Sequence, residues 1–269
     1  MKGKLNELAL FAGAGGGILG GHLLGWRTVC AVEWEPYPAS VLCARQNDGL
    51  LPPFPIWDDV QTFNGFAWRG LVDVVSGGFP CQDISAAGKG DGLDGARSGM
   101  WTHMARVVGE VRPRFVFVEN SPMLTTRGGT RVVGDLAKMG YDCKWTVMGA
   151  ADVGASHRRD RMWIVGKLAN TNNAGVEWRE QQSQSSDKQR ELANTPNQGD
   201  VWGQWQLGFV EQKNHSGRGS TNGSREWWAV EPNVGRVVDG VAARVDRLKA
   251  IGNGQVPLCA AEAWRLLTA

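Results

Sequence analysis

The chain has 269 residues, of which 42% are hydrophobic and 21% are charged. This size and composition are typical of a soluble globular protein with one sizeable α/β domain and a small second lobe. No apolar run approaches the roughly 20 residues that a membrane span requires, and the N-terminus leads directly into a predicted strand. We therefore expect no membrane segment and no signal or transit peptide. The formal charge of +2 permits a nucleic-acid partner without demanding one.

Short apolar runs alternate with helical patterns between residues 5 and 165. The predicted strands are Leu8–Phe11, Val29–Val32, Leu71–Val75, Phe115–Val118, Trp145–Met148 and Met162–Val165. Helical spacing recurs between them, at Trp101–Val111 and Thr130–Met139. This alternation predicts a mostly parallel sheet with helices on both faces, and ligands bind such sheets beyond the carboxyl ends of the strands.

The composition changes after about Leu168. Asn, Gln, Ser, Gly and Trp dominate as far as about Val238, and LANTNNAG (168–175) recurs as LANTPNQG (192–199). The final segment, ARVDRLKAIGNGQVPLCAAEAWRLL, predicts a loop followed by an amphipathic helix. We interpret the chain as a core, an insert and a return to the core. A flexible, partly disordered insert is an equally weighted alternative.

A glycine-rich segment, FAGAGGGILGG (11–21), follows the first strand and opens a helix. Such a turn lets the backbone approach a ligand closely at a helix N-terminus. Gly15, Gly17 and Gly20 satisfy G-x-G-x-x-G, and Glu33 follows at the distance expected of a ribose-binding acid. A nicotinamide-dependent oxidoreductase and a purely structural glycine turn therefore remain alternatives at this point.

Three further residues favour a cofactor that contains adenosine. Glu33 ends the apolar run CAVE and should lie at a strand tip, where its carboxylate can accept both ribose hydroxyls. Trp34 can stack on an adenine, and Asp59 can accept from the adenine amino group. Ordinary solvated loop residues are the alternative, more plausibly for Asp59 than for Glu33.

The cysteines differ in their surroundings. The five of them (30, 43, 81, 143 and 259) are odd in number and never spaced as C-x-x-C, which argues against disulfides and zinc and fits a reducing cytoplasm. Cys81 lies in SGGFPCQDISAAGKG, just past a strand and among glycines, and we interpret it as a nucleophile. A small buried hydrophobe is the interpretation that suits the other four.

Two later segments provide partners for a thiol. FVFVENSP ends a strand with Glu119 and Asn120, and ASHRRDRMWIVG places Arg159 and Arg161 before another strand. Taken in order, FAGAGG, GGFPCQ, VEN, the R-x-R pair and RLKAIGNGQVP resemble the C5-cytosine DNA methyltransferase family. The resemblance covers residues 5–166 and 244–269.

This resemblance implies a Rossmann-like class I methyltransferase sheet and S-adenosylmethionine as the methyl donor. The implied cofactor-binding residues are Phe11, Gly13, Gly15, Glu33, Trp34, Asp59, Pro80 and Asn253. The implied catalytic residues are Cys81, Glu119, Arg159 and Arg161. We expect DNA contacts from Gln82, Ser85, Lys89 and Arg97, with Arg158, Arg244 and Lys249 as further candidates for phosphate contacts. No metal is expected.

The sequence departs from the family pattern at two positions that support the chemistry. Ser121 stands where Val usually follows Glu-Asn, and His157 stands where Gln usually begins the arginine motif. Neither residue is expected to take part in the reaction itself.

The resemblance also implies a division of the chain. Residues 1–166 would form the catalytic core, 167–243 a small irregular region that recognises the target sequence, and 244–269 a return to the core. Residues 168–243 hold seven Lys and Arg against nine Asp and Glu, so this region is not an electrostatic clamp by itself. The Trp residues of this region could stack on bases, although a small core is the favoured interpretation.

The implied reaction is methylation of C5 on a flipped-out cytosine in double-stranded DNA, through a covalent adduct between Cys81 and C6. We expect a cytoplasmic monomer, with a restriction endonuclease as a candidate partner. An RNA substrate such as tRNA and a non-catalytic DNA-binding relative remain alternatives, together with the oxidoreductase.

Overall fold

A computed structural model of the chain describes residues 4–80, 99–169 and 244–269. The strands of this part are β1 (Asn6–Leu10), β2 (Arg27–Val32), β3 (Ile56–Trp57), β4 (Val74–Gly77), β5 (Phe115–Asn120), β6 (Tyr141–Met148) and β7 (Arg161–Leu168). Its α-helices are α1 (Gly16–Leu23), α2 (Pro36–Asn47), α3 (Met100–Val111), α4 (Gly129–Lys138), α5 (Arg244–Asn253) and α6 (Pro257–Thr268). Short 3₁₀ helices cover Gly65–Trp68, Pro122–Thr125 and Ala150–Val153.

The strands form one sheet in the order β3-β2-β1-β4-β5-β7-β6. The first five lie parallel to one another, whereas β7 is antiparallel to both β5 and β6. The chain builds outward from β1 to β3 and then returns to the other side of β1 with β4. In such sheets, the crevice between the strands where the order reverses is the usual ligand site.

Alternation along the strands gives the sheet two apolar faces. Leu8 and Leu10 of β1 pack in a core with buried residues of α3 and α4, such as Met104. The intervening Ala9 packs with α1 and α2, and Phe117 of β5 packs with α6. Side chains of a strand alternate between faces, so this pattern buries the sheet on both sides. The predicted mostly parallel sheet with helices on both faces is confirmed.

The C-terminal helix α6 is part of this core. Its Trp264 meets Trp26 edge-to-face at 4.6 Å between ring centroids. At Gly20 of α1, a Cβ atom would lie 2.7 Å from Ala260, so the missing side chain lets α1 and α6 approach closely. Within the described ranges, no helix combines the length and the apolar character that a membrane crossing requires.

The sequence analysis missed one strand, misplaced strand boundaries and predicted a loop at residues 244–253, where the structure has the helix α5. The apolar residues Val245, Leu248 and Ile251 of α5 are exposed, so no core-facing pattern marks this helix. The strand β3 has only two residues, and so short a run has no alternation from which to predict it. Leu71 was predicted to begin the strand that is β4, but it is 60% exposed, and the strand begins at Val74. An apolar residue beside a strand need not belong to it.

The cysteines outside the loop after β4 follow the prediction with one exception. Cys30 and Cys259 are buried, and Cys143 is partly buried. Burial raises the pKa of both Cys30 and Cys143 to about 12, so these thiols are unreactive near neutral pH. Cys43 is exposed, and its interpretation as a buried hydrophobe was wrong. Its neighbour Leu42 is the residue of α2 that faces the core.

Candidate active site

A cavity of about 390 Å³ lies beyond the carboxyl ends of the parallel strands. Residues that follow β1, β2 and β4 form much of its wall, together with Glu119 and Asn120 at the end of β5. Residues of α5, including Lys249 and Asn253, complete the wall from the other end of the chain. The predicted cofactor-binding residues Phe11, Gly13, Glu33, Trp34, Asp59, Pro80 and Asn253 line this one cavity, and so do Glu119 and Arg161.

The loop after β1 reaches the cavity by an unusual backbone path. Phe11 and Gly13 have positive φ angles of 51° and 55°, a region that L side chains seldom occupy. The N–H of Gly13 donates to Glu33 Oε2 at 2.7 Å, which ties this loop to the end of β2. Glycine at position 13 therefore allows a turn whose N–H points at a carboxylate.

Glu33 is held in one orientation by two backbone donors. Its other oxygen, Oε1, accepts from the N–H of Glu35 at 2.8 Å. Burial raises the pKa of Glu33 above its ordinary value, and these two hydrogen bonds oppose that shift. A buried carboxylate held in this way at a strand end is suited to accept hydroxyl donors from a ligand.

Trp34 beside Glu33 is open to solvent, and Asp59 is partly exposed. Trp34 is 69% exposed although it lines the cavity, so its indole face is free of packing against the core. Asp59 lies in the loop after β3, and its Oδ1 accepts from the N–H of Gln61 at 2.8 Å. The structure thus brings together the three residues that the sequence associated with adenosine.

The rest of the glycine-rich segment packs against α2 and the C-terminal segment of the chain. Gly15 is the N-cap of α1, where a Cβ would lie 2.8 Å from Leu42, and it is buried behind the loop. Gly17 and Gly20 approach Gln255 and α6, respectively. Packing between chain segments accounts for the glycines at these three positions.

Glu119 lies near the end of β5 and is buried. Its Oε1 accepts from Arg161 Nε at 2.9 Å, and its Oε2 accepts from Gln255 Nε2 at 3.5 Å. Burial raises the pKa of Glu119, although the charges of Arg161 and Arg159 and the hydrogen bond from Gln255 act in the opposite direction. A carboxyl with a raised pKa in a cavity is suited to exchange a proton or to donate one in a hydrogen bond.

The two predicted arginines have different positions. Arg161 begins β7 and contacts Glu119 directly. Arg159 donates to the carbonyl oxygens of Gly252 and Gly254, so it holds the segment between α5 and α6. Phe11 and Arg159 are two of the three non-glycine residues with positive φ among those described, and such strained backbone tends to cluster at functional sites.

The segment around Glu119 contains supporting residues whose contacts the sequence analysis did not predict. Asn120 donates from Nδ2 to the carbonyl of Phe79 at 3.1 Å, which ties the end of β5 to the loop before Cys81. Ser121 accepts from the N–H of Met123 at 3.3 Å and caps the following 3₁₀ helix. The departure from the family pattern at Ser121 therefore has a structural role.

Several predicted site residues lie outside the described residues, namely Cys81, Gln82, Ser85, Lys89 and Arg97, together with the insert up to residue 243. Pro80, which directly precedes Cys81, lines the cavity with Glu119 and Arg161. Lys249, one of the candidates for phosphate contacts, pairs with Glu35 at 2.8 Å.

Most of the charged residues in the cavity wall are acidic. Its acidic residues are Glu33, Glu35, Asp58, Asp59, Glu119 and Asp246, whereas its basic residues are Arg161 and Lys249. Such a wall favours a ligand that carries positive charge. In the described part of the chain, no group of three His, Cys, Asp or Glu side chains is arranged to hold a metal ion.

The family described as C-5 cytosine-specific DNA methylase matches residues 5–255. The chain belongs to this family. The oxidoreductase alternative is thereby rejected, since one family match covers the glycine-rich loop and extends to Gln255 in the GNGQVP segment.

Curated type II methyltransferases are similar to this chain in sequence. The type II methyltransferase M.CviJI of Paramecium bursaria Chlorella virus IL3A is 33% identical over 164 residues, or 60% of this chain and 43% of the relative. M.HaeII of Haemophilus aegyptius is 32% identical over 169 residues, or 61% of this chain and 51% of the relative. The chain thus spans about half the length, or less, of these two relatives.

Solved methyltransferase structures share the fold. A prophage-encoded protein of E. coli, assigned as a DNA modification methyltransferase, is 26% identical with a TM-score of 0.50, covering 61% of this chain and 47% of that one. EhMeth of Entamoeba histolytica is 16% identical with a TM-score of 0.53, covering 63% and 54%. At the latter identity, the likeness shows the fold alone. The predicted Rossmann-like methyltransferase fold is confirmed.

Proposed function

We propose that this methylase family member transfers a methyl group from S-adenosylmethionine to C5 of cytosine in double-stranded DNA. The observation that carries the proposal is the position of Glu119, buried at the end of β5 and bonded to Arg161 in the same cavity as Glu33. A carboxyl with a raised pKa thus lies beside a site suited to a nucleoside. The family match and the type II methyltransferase relatives support the same activity.

The cavity suits S-adenosylmethionine by size and charge. Its volume of about 390 Å³ falls within the usual range for small-molecule sites. Phe11, Gly13, Glu33, Trp34 and Asp59 would hold the adenosine, with Pro80, Asn253 and, behind the loop, Gly15 in supporting positions. The acidic wall complements the sulfonium and ammonium charges of this cofactor. When bound, S-adenosylmethionine supplies the electrophilic methyl group.

The chemistry requires a nucleophile because C5 of cytosine is too weakly nucleophilic by itself. We assign this role to Cys81, whose thiolate forms a bond to C6 and thereby raises the electron density at C5. Glu119, in its protonated form, donates to N3 and stabilises the charge that develops on the ring. After C5 has accepted the methyl group, a base such as water takes the C5 proton. The electron pair of that C–H bond restores the C5–C6 double bond, and the Cys81 thiolate leaves C6.

The arginines act on this step by charge. Arg161 holds Glu119 in place and places positive charge beside the adduct. Arg159 holds the turn between α5 and α6, and its charge also acts on Glu119. We therefore keep both arginines in the catalytic set, with Arg161 in direct contact and Arg159 one step removed.

The target cytosine must leave the duplex, at a cost of roughly a few kcal/mol. We propose that Gln82 and Ser85 fill the vacated space, that Lys89 and Arg97 contact phosphates, and that residues 167–243 recognise the target sequence. Residues 1–166 and 244–269 would then form the catalytic core. The type II relatives support a restriction endonuclease as a partner, and we propose that the enzyme acts as a monomer.

The test is bisulfite sequencing of plasmid DNA from a host that lacks cytosine methylation and expresses this protein. We expect protected cytosines within one short sequence motif. A Cys81→Ser strain run in parallel should show none, while its purified protein still binds S-adenosylmethionine. This pair of strains tests the reaction and the nucleophile together.

Other outcomes of the same experiment point elsewhere. Protection that persists in the Cys81→Ser strain would contradict the covalent step. If the plasmid DNA is unprotected and cellular RNA is newly methylated, the substrate is RNA and not DNA.

A further inference from the structure

Gln255 connects three parts of the candidate site. It lies in the GNGQVP segment, between α5 and α6. Its side-chain Nε2 donates to Glu119 Oε2 at 3.5 Å, on the carboxyl oxygen opposite the one that Arg161 contacts at 2.9 Å. Both oxygens of Glu119 therefore accept hydrogen bonds from residues that follow it in the chain.

Three glycines make room for this glutamine. A Cβ atom at Gly16 would overlap the backbone carbonyl of Gln255, and one at Gly17 would lie 2.5 Å from Oε1. At Gly78, after β4, a Cβ would lie 3.0 Å from Nε2 and would overlap Glu119 Oε2. The Gln255 side chain is thus enclosed between the start of α1 and the loop that leads to Cys81.

We propose that Gln255 is a positioning residue that orients the carboxyl group of Glu119. This inference rests on the proposed function, in which Glu119 donates a proton in a hydrogen bond to cytosine. With one oxygen bonded to Arg161 and the other to Gln255, the plane of the carboxyl group is fixed, and its proton is offered in one direction. Because Gly16, Gly17 and Gly78 surround Gln255, the orientation of the Glu119 carboxyl depends on the start of α1 and on the loop after β4.

The substitution Gln255→Met tests the hydrogen bond with little change in side-chain length. We expect kcat to fall about tenfold, the consequence of losing one hydrogen bond to a catalytic carboxyl. The KM for S-adenosylmethionine should change less than threefold, since Gln255 does not line the cavity. A purely structural role would instead raise KM and lower the yield of folded protein.

The pH profile separates positioning from packing. Donation by Gln255 favours the ionised form of Glu119, so losing the donor raises its pKa. Because activity requires protonated Glu119, the decline of kcat at high pH should move to higher pH in Gln255→Met. Gln255→Glu, which adds a like charge at the same length, should move this decline further.

A titration of the free protein keeps this inference separate from the proposed function. NMR spectra are recorded of the full chain labelled with ¹³C at its Glu side chains. The signal that is absent from the spectrum of Glu119→Gln is assigned to Glu119. We expect it to titrate at higher pH in Gln255→Met than in the wild type. This measurement needs neither substrate nor turnover.

Glycine variants provide a second test and a matched control. Gly78→Ala, which displaces both the carboxyl and the amide, should move the Glu119 titration in the same direction. Gly134→Ala on α4, where a Cβ meets nothing within 4 Å, should match the wild type in kcat and titration.

Two results decide the matter. If Glu119 titrates at the same pH in Gln255→Met as in the wild type, the positioning role is overturned. If Gln255→Met does not fold, the same result in Gly78→Ala overturns it. A shifted titration in a protein that methylates neither DNA nor RNA would retain the contact and overturn the proposed function.

Discussion

Two buried glutamates lie on the same face of the sheet and have contrasting surroundings. Glu7 of β1 accepts from Ser76 Oγ at 2.6 Å and from Thr28 Oγ1 at 2.7 Å, among packed residues of β2, β4 and α1. Glu119 of β5 lines the cavity and contacts Arg161 and Gln255. Burial is the largest cause of a raised pKa at both, and it raises that of Glu7 to about 7.

The difference shows that a raised pKa does not identify a catalytic group. Two hydroxyl groups satisfy Glu7, which does not line the cavity, so its proton has no ligand to meet. Glu119 adjoins positive charge and open space, where a ligand can bind and where a change in protonation alters the bound state. We infer that Glu119 is functional and that Glu7 is structural.

The substitution Glu119→Gln is expected to have the largest effect on activity. Loss of the proton donor should lower kcat by about 10²- to 10⁴-fold, the usual contribution of general acid catalysis. The Kd for S-adenosylmethionine should stay within about threefold, because Glu33 and Trp34 remain. Single-turnover methylation and calorimetric binding measure the two quantities. Glu7→Gln is the matched control and should retain kcat; comparable losses in both variants would remove the contrast.

Glu7→Gln should instead alter stability in a way that depends on pH. Glu7 has a pKa of about 7 in the folded state against 4.5 when unfolded, so folding is opposed once the group ionises. The wild type should lose stability as pH rises from 4.5 to 7. The free energy of unfolding of Glu7→Gln relative to the wild type should therefore be about 3 kcal/mol higher at pH 8 than at low pH.

Urea unfolding at pH 5 and pH 8 measures this change. If Glu7→Gln changes the free energy of unfolding by the same amount at both pH values, Glu7 does not titrate in this range.

Arg161→Met should have an intermediate effect, through Glu119. Removing the nearer cation raises the pKa of Glu119 further, so the decline of kcat at high pH should move upward. We also expect kcat to fall about tenfold, since the carboxyl loses a charge-assisted hydrogen bond. Arg45→Met, which removes an exposed pair with Asp48, is the control and should leave the profile unchanged. A profile that moves downward would reverse the assigned direction.

Lys249→Met should have the smallest effect on stability. Lys249 and Glu35 form an ion pair at 2.8 Å in which both side chains are about half exposed. Such pairs contribute about 0.2–1 kcal/mol, and salt weakens them. Thermal unfolding at low and high salt should therefore show a small difference that disappears as salt increases. A large, salt-independent loss would mean that Lys249 is as important to the fold as the buried groups.

Several elements of the fold and the site could be predicted because their patterns are local. Alternation predicted six of the strands, and the position of Glu33 after an apolar run placed it correctly at a strand end. Cys43 was misjudged because its exposure depends on which face of α2 meets the core. Gln255 has no local signature, since its importance comes from contact with Glu119, which is 136 residues away in the chain.

The sequence by itself determined the order of the strands along the chain, the family and the residue types at the strand ends. It could do so because the period of apolar residues and the spacing of motifs are properties of neighbouring residues. Only the tertiary structure decided which glycines line the cavity and which accommodate α6, and which of two buried glutamates meets a cation. Those outcomes depend on segments far apart in the chain, whose contacts set the burial and the charge around each group.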